Sequence, residues 1–171
     1  MIMDGNKEIR IGLLKEELCH KIKRIDPNLE MGDVLGDISL TVEPGHLKDV
    51  ASALKDIGFD MLLAVVCIDE DEFFRVVYPL FSFSYTLKLL LVSKVSRFDP
   101  KLASVSKVWP AANWHEREQA ELFGVIFVGH PDLRNLLLPP DWEGYPLRKD
   151  YKQPESYKGI STARSYWEDL G

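Results

Sequence analysis

The sequence has few of the residues that build metal centres and crosslinks. Its two cysteines, Cys19 and Cys67, lie far apart in apolar surroundings, and no CxxC pair occurs. That argues against a Cys-ligated iron–sulfur cluster held by this chain, and it reads as two buried free thiols in a reducing compartment. The four histidines, at 20, 46, 115 and 130, are scattered and form no ligand constellation. Neither GxGxxG nor a Walker A loop occurs, so nucleotide binding has no sequence support. Positive charge is in short supply: 21 Lys and Arg against 27 Asp and Glu give a net charge of -6. A phosphate backbone would find no basic face here. No apolar run approaches the roughly 20 residues of a membrane helix, and the opening MIMDGNKEIRIG lacks the layout of a secretory signal. What remains is an ordinary globular balance, 46% hydrophobic and 28% charged over 171 residues. The expectation is one soluble, cytoplasmic domain with a sizeable core.

Periodicity supplies the elements. Ile11, Leu14, Leu18, Ile22 and Ile25 recur at spacings of three and four, a one-sided helical stripe that Asp26-Pro27 ends. DISLTV alternates, with Ile38, Leu40 and Val42 on one face of a strand. Pro44 suits the start of a second helix, with Leu47, Val50, Leu54 and Ile57 buried and Gly58 as its stop. MLLAVVCI reads as a central strand covered on both faces. Asp69 to Glu72 form an acidic turn before two further strands, FFRVVYPLFSF and TLKLLLVSKV. The order αβαβββ implies an α+β, two-layer domain with a mixed or antiparallel sheet. RFDPKLASVSKVWPAANW reads as a connection. A short helix over 114–123 follows, with an Asn113–Glu116 capping box and Gly124 as a left-handed end.

The chemical candidates are weak. HEREQ, residues 115 to 119, falls short of HExxH because Gln119 stands where the second zinc-binding histidine should be. A small metal-dependent hydrolase would have to use His115, Glu116 and His130. Glu116, Glu118 and Glu121 read better as a charged helix face, with Arg117 able to pair with Glu121 one turn on. His130-Pro131-Asp132 echoes a co-chaperone tripeptide but lacks the long helical pair that would flank it, and no nucleophile sits in a GxSxG setting beside it.

One stretch, GHPDLRNLLLPPDWEGYPLRKDY over residues 129–151, fits neither helix nor strand. Its prolines at 131, 139, 140 and 146 limit backbone freedom. Leu136, Leu137, Leu138, Trp142 and Tyr145 are too apolar for a solvated linker, while Arg134, Arg148, Lys149 and Asp150 supply polar anchors. Trp, Tyr and Arg dominate interface hot spots. Two readings stay open, a segment folded back over its own domain and a strap laid along another subunit, and they can coexist. The chain divides into a domain over 1–128 and a partner-binding segment over 129–171.

These residues carry a resemblance. Glu116-Arg117-Glu118, Glu121-Leu122-Phe123-Gly124, Gly129-His130-Pro131, Arg134, Leu136-Leu137, Asp141-Trp142, Gly144 and Pro146-Leu147-Arg148-Lys149-Asp150-Tyr151 together resemble the signature of the peripheral-arm C-type chain of respiratory complex I, the J-type chain of chloroplast-type complexes. Glu121 stands where family members often have Asp, and the chain after Tyr151 matches no motif. The resemblance implies a structural subunit without cofactors of its own, in a complex that carries iron–sulfur clusters and uses NADH, or another donor, and quinone. Its implied partners are the large quinone-site (D-type) and small iron–sulfur (B-type) subunits, with the ferredoxin-like (I-type) subunit as a further candidate. Its implied place is the cytoplasmic face of the plasma membrane, peripherally bound. The interface implied comprises Glu116, Arg117, Glu118, Glu121, His130, Asp132, Arg134, Leu136, Leu137, Trp142, Tyr145, Pro146, Arg148, Lys149, Asp150 and Tyr151. Related chains serve membrane-bound hydrogenases and F420- or ferredoxin-linked dehydrogenases, so the electron donor stays open.

Overall fold

The computed structural model describes residues 5–161, without the side chains of 5–11 and 161; residues 1–4, the tail 162–171 and the Ile11 position of the predicted stripe lie outside the described part. Helix α1 (Gly5–Lys23) buries Leu14, Leu18 and Ile22, and α2 (Leu47–Ile57) follows a 3-10 turn at Pro44–His46. Gly58, at φ 117°, closes α2 as the sequence predicts. Both helices cover one face of a mixed sheet. Strand β2 (Asp37–Val42) runs parallel to β6 (Leu87–Ser96), which pairs antiparallel with β5 (Phe73–Ser82). Burial alternates along β5, so Phe74, Val76, Tyr78 and Leu80 meet Leu40, Leu54, Leu89 and Leu91 in a single core. This is the expected α+β two-layer architecture.

Three features depart from the sequence reading. MLLAVVCI is not a central strand. It splits into β3 (Met61–Leu62) and β4 (Val66–Asp69), both against the outer side of β5. Leu62 pairs with Leu80 but Val66 with Val77, so one extra residue is absorbed as a bulge and an edge strand results. Met61, Val66 and Ile68 are accordingly exposed. Second, β1 (Glu30–Val34) forms a hairpin with β2 although all five of its residues are exposed. No alternation could have revealed it. Its turn residues Leu35 and Gly36 both have positive φ, where Asn-Gly would have been the sequence signal. Third, the connection after β6 contains β7 (Lys101–Ala103), which pairs parallel with β8 (Ile126–Val128) on the far side of the next helix.

That helix, α3 (Ala112–Phe123), lies along β4, where the Gln119 side-chain carbonyl accepts the Cys67 N–H at 3.1 Å. Trp109, buried just before it, donates its indole N–H to the Phe59 carbonyl at 3.0 Å. Replacing Trp109 with Phe is expected to cost about 1–2 kcal/mol, because a buried carbonyl loses its donor; chemical denaturation measures it. Beyond β8 the chain runs without regular structure until a two-strand hairpin, β9 (Ser156–Tyr157) and β10 (Ile160–Ser161).

Candidate functional site

Helix α3 and the strap over 129–151 meet along one seam, and almost every bond across it joins a side chain to a backbone group. Glu121 is 8% exposed. Its carboxylate accepts three consecutive backbone N–H groups: Leu136 at 3.0 Å, Leu137 at 2.9 Å, and Leu138. A charged acceptor facing three aligned donors is a strong local clamp. Arg117 does not pair with Glu121 as its spacing suggested. It donates instead to the carbonyls of Arg134 at 3.0 Å and Asn135 at 3.2 Å. Two side chains on one helix face thus hold the strap's N–H and C=O groups together.

The second half of the strap is fixed by Arg148. Its Nε donates to the Phe123 carbonyl at 2.6 Å, and its guanidinium lies over the rings of Phe74 and Tyr145 at 5.0 and 4.3 Å. Leu147 N–H reaches the Leu122 carbonyl at 3.1 Å. Gly124 lets this happen: at φ 74°, a Cβ there would lie 2.5 Å from the Tyr145 ring and 2.6 Å from Arg148. Past Arg148, the Lys149 N–H donates to buried Asp69 at 2.7 Å, and Asp69 also accepts from Arg97 at 3.1 Å. Arg97 bridges on to Asp150 at 2.7 Å. Asp69 and Arg97 were missed by the sequence reading. Asp69 is one of four acidic residues in a row, and nothing in the sequence separates it from the turn.

Glu116 corrects the expected capping box. The helix starts at Ala112, its N-cap Ala111 makes no side-chain cap bond, and the backbone turns at Trp109 and Pro110 supply the first acceptors. Glu116 points inward, fully buried. It accepts the Ser104 hydroxyl at 2.6 Å and the Val105 N–H at 2.7 Å. Burial pushes its carboxyl up to about 7, against the pull of those two donors. Because the folded state favours the protonated form, the associated stability is full below the ordinary value of 4.5 and is lost as pH rises through about 7. Glu116→Gln is expected to flatten stability against pH across that window, measured by urea melts at several pH values.

The remaining sequence candidates are distributed along this seam. His130 lies under the helix start, its ring fully buried. Asp132 and Arg134 form a bidentate pair at the surface, which holds the Asp132 carboxyl well below the usual range. Glu118 accepts from the Gln119 side-chain amide at 3.4 Å. Leu136, Trp142, Pro146 and Tyr151 are half-buried, and Trp142 meets Tyr157 at 5.2 Å between ring centres. Leu133, Leu137, Tyr145 and Leu147 stay exposed, Leu137 at 63% and Leu147 at 53%. His115 is half-exposed and approaches neither His130 nor Glu116 through any polar bond seen here. Among the described residues, no group of three or more His, Cys, Asp or Glu could hold a metal ion, and burial pushes the Cys67 thiol up to about 12. Among them, too, no helix is long and apolar enough to cross a membrane. Both cysteines are free; Cys67 is buried as expected, whereas Cys19 is only half-buried.

Residues 40–157 match the family described as the respiratory-chain NADH dehydrogenase, 30 Kd subunit. The C-type chain of the NADH-quinone oxidoreductase of Roseiflexus sp. (strain RS-1) is 40% identical over 131 residues, covering 73% of this chain and 75% of the relative. Among solved structures, the trypsin-resistant fragment (1-134) of Nqo5 superposes with a TM-score of 0.62 at 30% identity. That match covers 72% of this chain and 99% of the fragment. A chain of the membrane-bound sulfane sulfur reductase, an archaeal respiratory membrane complex, superposes with a TM-score of 0.70 at 22% identity. It covers 81% of this chain and 85% of the other, and it supports the fold alone.

Proposed function

The chain belongs to the 30 Kd subunit family of the respiratory-chain NADH dehydrogenase, and from that premise we propose that it is a non-catalytic scaffold of an NADH:quinone oxidoreductase. In this reading the domain is a platform and the strap a preformed docking edge. The partners are the large quinone-site subunit and the small iron–sulfur subunit, with the ferredoxin-like subunit as a further candidate. Holding those neighbours at fixed geometry keeps the terminal cluster and the quinone in register during electron transfer. NADH, quinone and iron–sulfur clusters belong to the complex. The chain would sit peripherally on the cytoplasmic face of the membrane.

One observation carries this reading: the strap's polar backbone is tied down at home while some of its apolar side chains stay exposed. Glu121, Arg117 and Arg148 fix a segment that has no regular structure of its own, and Leu137, Tyr145 and Leu147 remain outside. Preorganisation of this kind removes the ordering cost that a loose segment would meet on binding. Apolar side chains left exposed on a segment held this firmly suit a protein interface.

The double variant Leu137→Asp, Leu147→Asp tests it. Both residues are exposed, so the domain should fold and melt as before. Co-purification with the quinone-site subunit is expected to fall at least about tenfold, as burying two charges without partners would require. Unchanged co-purification would refute the docking edge.

A further inference from the structure

The His-Pro-Asp tripeptide has no role in the docking reading, yet it sits where the strap begins. The His130 ring is fully buried. One nitrogen, Nε2, is 3.0 Å from the Asn113 carbonyl; the other, Nδ1, is 3.0 Å from the Asp132 N–H. A carbonyl can only accept and an N–H can only donate, so both bonds coexist in a single state: neutral imidazole, protonated at Nε2. That state ties the first turn of α3 to the root of the strap. Glu116 lies beside it, with Oε2 3.9 Å from Nε2.

We propose that His130 is a proton-operated latch at the root of the strap, closed while its Nδ1 is bare and opened when a proton from water settles there. Protonation of Nδ1 turns an acceptor into a donor. The Asp132 N–H then loses its only ring partner and two N–H groups face each other, so the turn must move. Movement at Asp132 reaches the strap directly, because Arg134 is tied to the Asp132 carboxylate and Arg117 holds the carbonyls of Arg134 and Asn135.

Titratable and charged groups surround the ring. From α3, Glu116 faces the ring; from the segment after β7, Ser104 and Val105 donate to that carboxylate. From β5, Tyr78 lies close enough for Glu116 to affect its phenol, which burial holds in its neutral form. On the strap side the charged groups are Asp132, Arg134 and, across the seam, Arg117. Glu116 is the readiest of these to take up a proton as pH falls, since burial already favours its neutral form. The strap is latched while Nδ1 accepts the Asp132 N–H and is released once Nδ1 carries a proton. This holds whether or not the strap docks on a partner, since every group in it belongs to this chain.

The test uses the full-length chain with ring-labelled histidine, followed by two-bond ¹H–¹⁵N correlation and amide exchange. His130 is expected as the Nε2–H tautomer at neutral pH. On acidification, its protonation should coincide with faster exchange at the amides of Asp132 and Leu136 to Leu138. His130→Gln, which cannot take the proton, should leave that exchange free of the acid step. An Nδ1–H tautomer, or histidine titration without any change in amide exchange, would overturn the latch. Should His130→Gln fail to fold, the tautomer and the coincidence of the two titrations in the unaltered chain still decide.

Discussion

Glu121→Ala is expected to speed exchange at the amides of Leu136, Leu137 and Leu138 by roughly 100-fold while leaving the sheet amides unchanged. The three N–H groups share one carboxylate, Leu136 at 3.0 Å, Leu137 at 2.9 Å and Leu138 beside them. Hydrogen bonds to a charged group contribute about 1.5–3 kcal/mol each, but bonds sharing one acceptor are not additive, so a total of about 3 kcal/mol is the reasonable figure. At 1.4 kcal/mol per tenfold that is two orders of magnitude. Arg117 would still hold two carbonyls, so the strap should loosen at its middle before it leaves. Glu121→Gln keeps the shape but turns one acceptor into a donor facing N–H groups, and it should fall between. Equal protection in all three proteins would mean that the clamp contributes nothing.

Gly124→Ala should have a comparable effect by a different route. The residue has φ 74°, which costs an L side chain about 1–2 kcal/mol. The larger loss comes from space: the new methyl would sit 2.5 Å from the Tyr145 ring and 2.6 Å from Arg148. Both must retreat, which takes with them the Arg148–Phe123 bond and the stacking over Phe74. About 3 kcal/mol in all, or a fall in Tm of roughly 8 °C, is the expected result by calorimetry. Trypsin should then cut after Arg148 sooner than in the parent chain. A Tm within a degree of the parent would show that the second half of the strap is not seated on the helix end.

What could be read from the sequence, and what could not, divides by range. Helical stripes and the alternation in DISLTV declare themselves within a few turns, and Gly58 and Gly124 mark their helix ends because only a left-handed residue fits there. Strand β1 carries no apolar pattern, since nothing covers it, and β7 exists only by pairing with residues about two dozen positions later. The strap's composition pointed to an unusual segment. Its attachment could not be foreseen, because the partners are backbone N–H and C=O groups and every residue has those. Glu116 shows the limit most clearly. Its spacing from Asn113 fits a capping box, and only the fold reveals that Ser104 and Val105 bind it instead. Glu121 was placed on a charged surface for the same reason, although three amides of a distant segment enclose it.

The central claim is that a strap fixed by its own domain offers Leu137 and Leu147 to a neighbouring subunit. Photo-crosslinking from Leu147→p-benzoylphenylalanine, in membranes carrying the assembled complex, tests it most directly. The account predicts one dominant adduct, to the quinone-site subunit. An assembled, active complex in which that position links only to this chain itself, or to nothing, would contradict it.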